Sequence, residues 1–223
     1  MPFDIRLKTS FNLICSGPTG SGKTTWVKNL LMIGNQIFTE KPSKVYLFYR
    51  VMQDIYDEMR ENKLVDEFID VSKGMPTLDD YDQWVSPYTD SGGSMFIFDD
   101  SISDLNNDFE NLFCNISHHR KCSIIFLTQN LYYKHPVFRT MSLNTHYLVT
   151  MKNDRDKQQI SILGRQFSPG NSNFLTQVMQ DATKRPFGYA IIDFKPNTAP
   201  AVRVLSKIFP HEFPTCVYLE TKH

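Results

Sequence analysis

The chain has 223 residues, 41% hydrophobic and 22% charged, with a formal net charge of zero. That length supports an α/β core, and the neutral balance excludes a protein that grips nucleic acid over its whole surface, while leaving open contact through a few local Lys and Arg residues. The four cysteines, Cys15, Cys114, Cys122 and Cys216, form no C-x-x-C pair, which excludes a thiol redox motif and reads as reduced and intracellular.

The opening residues carry no apolar stretch long enough for a signal peptide. The longest aliphatic runs, 95–98 and 124–127, are far too short to span a bilayer, so a soluble protein with no membrane partner is expected. A short apolar run over 11–15 predicts a buried strand. It leads into Gly17, Pro18, Thr19, Gly20, Ser21, Gly22, Lys23 and Thr24, followed by Thr25. This octet fits G-x-x-x-x-G-K-[ST], the phosphate-cradling loop. Glycines let the backbone approach a phosphate, and amides at a helix N-terminus form an anion nest. Lys23 is placed to reach the β- and γ-phosphates of ATP, and Thr24 to offer its hydroxyl to Mg²⁺. The following helix puts Trp26, Val27, Leu30 and Leu31 on one face, with Gly34 expected to end it.

Further along, 44–49 predicts a second buried strand, 53–62 a helix, and 64–71 a short strand. Residues 72–93 are polar and turn-rich, with Pro76, Pro87, Gly92 and Gly93. Asp79, Asp80 and Asp82 there read as the start of a solvated helix rather than a metal site. The stretch 94–100 runs four large apolar residues into Asp99 and Asp100. Ligands of a parallel sheet bind beyond the carboxyl ends of its strands. Asp99 is therefore expected to face Mg²⁺, as a Walker B acid does, and Asp100 to polarise the attacking water.

Residues 105–117 predict a helix. A basic cluster, His118, His119, Arg120 and Lys121, precedes a buried strand over 123–128 that ends in Gln129. That amide reads equally as a sensor of the γ-phosphate or as a surface residue in a turn. Cys114, His118, His119 and Cys122 have near-metal spacing, but zinc sites pair their ligands differently, and both cysteines are expected to pack in the core. Residues 145–151 predict another strand. The segment 152–165 carries Lys152, Arg155, Lys157 and Arg165, as a solvated helix or as a subunit or DNA contact. Residues 174–181 read as a helix, and 187–194 with 202–205 as a closing strand pair. Without repeats or linkers, one domain over 1–223 is expected, with its core in about 10–206.

Seven segments stand in one order: GPTGSGKTT, KVYLFY, MFIFDD, SHHRKCSIIFLTQN, LNTHYLVTMKNDRDK, LGRQF and PFGYAIIDF. Together they resemble the packaging ATPases of the FtsK–HerA superfamily, and most closely the poxvirus-type enzymes of Polinton/Maverick elements, adintoviruses, virophages and adenovirus-like relatives. The resemblance implies a RecA-like P-loop NTPase fold, with a mainly parallel central sheet flanked by helices and an extra strand between the loop strand and the Walker B strand. It implies ATP and Mg²⁺ at Lys23, Thr24 and Asp99, a catalytic carboxylate at Asp100, a polar sensor at Gln129, and a finger into the neighbouring subunit at Arg120. The implied activity is ATP-driven packaging of double-stranded DNA by a homo-oligomeric ring, expected to be a hexamer. Its implied partner is a capsid or portal protein, at assembly sites in the host nucleus or cytoplasm. Many members carry Glu where this chain has Asp100. Two rivals stay open: a nucleoside or nucleotide kinase sharing the phosphate loop, and a non-hydrolysing, ATP-dependent assembly factor.

Overall fold

The computed structural model describes residues 4–85, 92–100, 105–155 and 157–221, without the side chain of His118. Pro87, read above as a turn former, lies outside them. The strands form one nine-stranded sheet in the order β3-β2-β4-β5-β1-β6-β7-β8-β9. These are β1 (Asn12–Ser16), β2 (Lys44–Tyr49), β3 (Glu67–Asp70), β4 (Ser94–Asp99), β5 (Cys122–Thr128), β6 (Tyr147–Met151), β7 (Tyr189–Asp193), β8 (Val204–Ser206) and β9 (Cys216–Val217).

Strands β3 to β6 pair in parallel, and β7 to β9 add antiparallel. Parallel sheets need cover on both faces, and the central strands show it. All residues of β1, β4 and β5 are buried. Alternate side chains feed opposite cores. Leu13, Cys15, Met95 and Ile97 pack with Trp26, Val27, Leu30 and Leu31 of α1 (Lys23–Met32). Ile14, Phe96 and Phe98 pack with Tyr81, Phe109, Phe113, Phe138 and Leu163 on the other face. Phe98 stacks on Phe48 with centroids 4.4 Å apart and meets Phe109 edge-on at 4.7 Å. The abundance of Phe is spent here, in flat rings that fill the space between pleat and helix.

The expected strand insertion is present: β5 lies between β1 and β4, in register with both. The helices at 53–62 and 174–181 appear as α3 (Asp54–Glu61) and α9 (Phe174–Ala182). Asp79 and Asp80 open α4 (Leu78–Val85), and Asp80 accepts from the Thr77 amide and hydroxyl, which explains the acidic cluster as a helix start. Further helices are α7 (Pro136–Leu143) and α8 (Lys157–Phe167).

Two elements differ from expectation. Gly34 does not end α1: the helix stops at Met32, Ile33 caps it, and Gly34 opens a further short helix, α2 (Gly34–Ile37), with no left-handed backbone. The helix after β4 is also not regular. It runs as α5 (Asn107–Asn111), a π-helical turn (Leu112–Ile116) and α6 (Ser117–His119). The wider turn keeps Leu112 and Phe113 buried together, and Phe113 offers its carbonyl to Asn12 of β1 at 2.7 Å.

Candidate functional site

The phosphate loop sits at the carboxyl end of β1, where the topology predicts a ligand crevice. It is tied down from both sides. The Gly17 amide donates to the Thr128 carbonyl at the end of β5 at 3.1 Å, and the Ser21 amide donates to the Pro18 carbonyl at 3.1 Å. Gly22 caps α1 with φ of 94°, a backbone that L side chains rarely adopt. At Gly17 a Cβ would fall 2.6 Å from Met151 Cβ, so only glycine lets the loop pass that close to β6.

Lys23 is the first residue of α1, so its ammonium starts beside the loop. It donates to the carbonyls of Gly17 at 2.7 Å and Pro18 at 3.2 Å. Burial lowers its pKa from the ordinary lysine range, opposed by the nearby acids Cys15, Asp99 and Asp100. Thr24, one residue on, donates its hydroxyl to Asp99 Oδ2 at 2.9 Å. Asp99 closes β4 and is 5% exposed. Its burial raises its pKa, while hydrogen bonds from Thr24 and Tyr56 and the charge of Lys23 pull it down.

Asp100 follows with φ of 54° and lies exposed at the edge of the same cleft. The left-handed turn swings it off the strand line, and the Gln129 amide, from the end of β5, reaches its Oδ1 at 3.4 Å. The cleft measures about 390 Å³ and is lined by Thr19, Gly20, Gly22, Lys23, Thr24 and Thr25 on one side and Asp99, Asp100 and Gln129 on the other. The structure thus brings Lys23, Thr24, both acids, Gln129 and most of the expected loop positions to one cleft. Gly17, Pro18 and Ser21 do not line the cleft: Gly17 is tied to Thr128, and Pro18 and Ser21 are joined to each other within the loop.

Arg120 is elsewhere. It caps α6 just before β5, at the amino end of the strand whose carboxyl end leads to Gln129, about 30 Å away along extended chain. There its guanidinium lies 2.9 Å from Asp82 of α4. The Cys114–Cys122 spacing carries no metal cluster among the described residues. Cys122 is fully buried, and burial pushes its thiol pKa up.

Three contributors were not visible in the sequence. Tyr56 of α3, fully buried, donates to Asp99 Oδ2 at 2.9 Å. Gln53 donates to the Tyr56 hydroxyl at 2.9 Å and lies 3.4 Å from the same carboxylate oxygen. Phe187, from the turn before β7, lines the cleft against Gly22. The apolar run before the acids signals their strand, but nothing at 53–56 signals a partner for a carboxylate nearly fifty residues away.

Hydroxyl and carboxylate oxygens are the donors that Mg²⁺ accepts, and it is commonly held by one or two such groups together with substrate phosphates. Thr24 and Asp99, with oxygens at hydrogen-bond distance on the rim of the cleft, fit that description.

Among solved structures, the chain resembles the genome packaging NTPase B204 from Sulfolobus turreted icosahedral virus 2. Against the complex with ATP-gammaS the identity is 10%, the TM-score 0.53, and the match covers 95% of this chain and 98% of that one. Against the AMPPCP complex the identity is 12%, the TM-score 0.52, and the coverage 96% and 99%. At such identities the likeness is one of fold. A search of curated proteins finds no match. The family model described as Poxvirus A32 protein matches residues 3–184, which takes in the phosphate loop, both acids, Gln129 and Arg120. Loop, acids and strand order thus agree with a match over most of the sequence, and the chain belongs to the Poxvirus A32 protein family.

Proposed function

We propose that this protein is an ATP-hydrolysing motor that packages double-stranded viral DNA into a capsid. One observation carries the reading: Lys23, Thr24, Asp99, Asp100 and Gln129 converge on one cleft from three adjacent parallel strands and the helix after the first. A binding switch needs the phosphate loop and one acid. A second acid, turned out of line and within reach of an amide, suits hydrolysis.

The roles follow from position. The loop amides and the Lys23 ammonium, held on short hydrogen bonds at the loop mouth, take the polyphosphate. Thr24 and Asp99 would hold Mg²⁺, which when bound neutralises charge on the phosphate oxygens. Asp100, exposed and little hindered, accepts a proton from the attacking water. Gln129 orients that water and links it to the end of β5. Arg120 stands too far from the cleft of its own chain to act there. In a ring it would project into the cleft of a neighbour, worth about 10³–10⁵ in turnover in comparable enzymes. The ring is proposed as a hexamer that threads DNA, docked on a capsid or portal protein inside the host cell. Among the described residues no helix is long and apolar enough to cross a membrane.

ATPase activity of the purified chain, measured with and without double-stranded DNA across protein concentration, tests the reading. Turnover that rises with DNA and with concentration, and is lost in Lys23→Ala, is expected. Phosphate transfer to a nucleoside in place of water, or normal turnover in Lys23→Ala, would overturn it.

A further inference from the structure

Phe187 is an exposed aromatic residue in a conformation it should avoid. It occupies the third place of a tight turn, Arg185, Pro186, Phe187 and Gly188, closed by the Gly188 amide on the Arg185 carbonyl at 3.2 Å. Its φ is 59°. A turn with proline second and positive φ third takes glycine or asparagine at that third place, and a bulky residue there is an outlier. The turn passes close to the end of α9: a Cβ at Gly188 would fall 2.3 Å from the Ala182 carbonyl oxygen. The ring gains little burial in return, being 67% exposed. Strain kept without burial points to a use in binding.

The position says which use. Phe187 is the one aromatic side chain among the described residues that line the phosphate cleft. Its Cδ1 would stand 3.1 Å from a methyl group placed on Gly22. It leads into β7, where Tyr189 pairs with Met151 at the end of β6. Along the sheet, β6 lies on one side of β1, and β5 and β4, which carry Gln129, Asp99 and Asp100, lie on the other. A triphosphate laid across the loop with its terminal phosphate toward the acids therefore points its nucleoside end toward Phe187.

We infer that Phe187 is the base-contacting residue of the site, offering its ring face to the purine of the nucleotide. This rests on the proposed nucleotide-binding role of the loop. Stacking on an aromatic ring recognises any base with a π-face, so the contact adds affinity for a nucleotide over a bare polyphosphate.

The test compares binding of ATP and of inorganic tripolyphosphate, both with Mg²⁺, by calorimetry to the wild-type chain, Phe187→Gly and Phe187→Trp. Phe187→Gly is expected to lose about tenfold in ATP affinity while tripolyphosphate binds unchanged and the thermal midpoint does not fall, since glycine relieves the turn. Phe187→Trp is expected to keep ATP affinity. Unchanged ATP affinity in Phe187→Gly, or equal losses for ATP and tripolyphosphate, would overturn the base contact alone. A wild-type chain that binds neither ligand would overturn the nucleotide reading and this inference with it.

Discussion

The Tyr56 hydroxyl donates to Asp99 Oδ2 at 2.9 Å, on the same oxygen that accepts from Thr24. A helix that follows β2 thereby fixes the acid that ends β4, and Gln53 holds the phenol from behind at 2.9 Å. Partners of this kind set the orientation of a metal ligand, and their loss commonly costs 10–100-fold in metal affinity. Tyr56→Phe keeps the buried ring. It is expected to raise the Mg²⁺ concentration for half-maximal ATPase by about tenfold while turnover at saturating Mg²⁺ stays near wild type. Mn²⁺ binding followed by electron paramagnetic resonance should weaken in parallel. An unshifted metal dependence would show that Tyr56 only fills space.

Asp99 also shapes stability with pH. Its burial raises the folded-state pKa above the unfolded value. A group shifted this way favours folding when protonated, and that contribution is lost as pH rises through the folded value. At pH 7 the buried charge therefore costs stability. Asp99→Asn, whose amide oxygen still accepts from Thr24 and Tyr56, should raise the thermal midpoint at pH 7 by about 2–4 °C. The gain should shrink toward pH 4, and ATPase activity should collapse throughout. A midpoint that does not rise at pH 7 would contradict the charge argument.

Asp100 separates binding from chemistry. Asp100→Asn is expected to bind ATP as tightly as wild type and to lose about 10²–10⁴ in turnover, the usual worth of a positioned base. Single-turnover hydrolysis with a nucleotide-binding control distinguishes the two steps. Hydrolysis at the wild-type rate would remove Asp100 from the reaction.

Arg120 is predicted to act between chains. Arg120→Ala should lose about 10³ in turnover. Mixing it with Lys23→Ala subunits, which keep Arg120, should restore part of the activity, because some junctions then pair an intact loop with an intact arginine. No recovery at any ratio would count against a role in trans. The half-exposed ion pair with Asp82 is weak enough to be given up on assembly. Asp82→Asn should therefore leave the stability of the isolated chain within about 0.5 kcal/mol of wild type.

Much of the site is legible in the sequence because its parts are local. The phosphate loop is contiguous, and Asp99 and Gln129 each end an apolar run whose burial announces a strand. Their meeting in space follows once three parallel strands lie side by side, with β5 between β1 and β4. Tyr56 and Phe187 escape such reading for different reasons. Tyr56 looks like any aromatic on the buried stripe of a helix, and the acid its hydroxyl serves lies 43 residues away. Phe187 stands next to Gly188 in a turn, where the sequence offers no sign of which residue takes the positive φ. The π-helical turn is equally hidden, since its widening answers the packing of Leu112 and Phe113 against β1 rather than any breaker in the segment.

The family match stops at residue 184, yet the sheet does not. Strands β7, β8 and β9 all come later; β7 pairs along the free flank of β6, every residue of which is buried, and β8 and β9 extend the sheet beyond it. A fragment trimmed at that boundary would leave Tyr147–Met151 as a bare, oily rim with unpaired amides, which invites end-to-end sticking between molecules. The last forty residues thus act as a selvedge that keeps the woven core from fraying into aggregates.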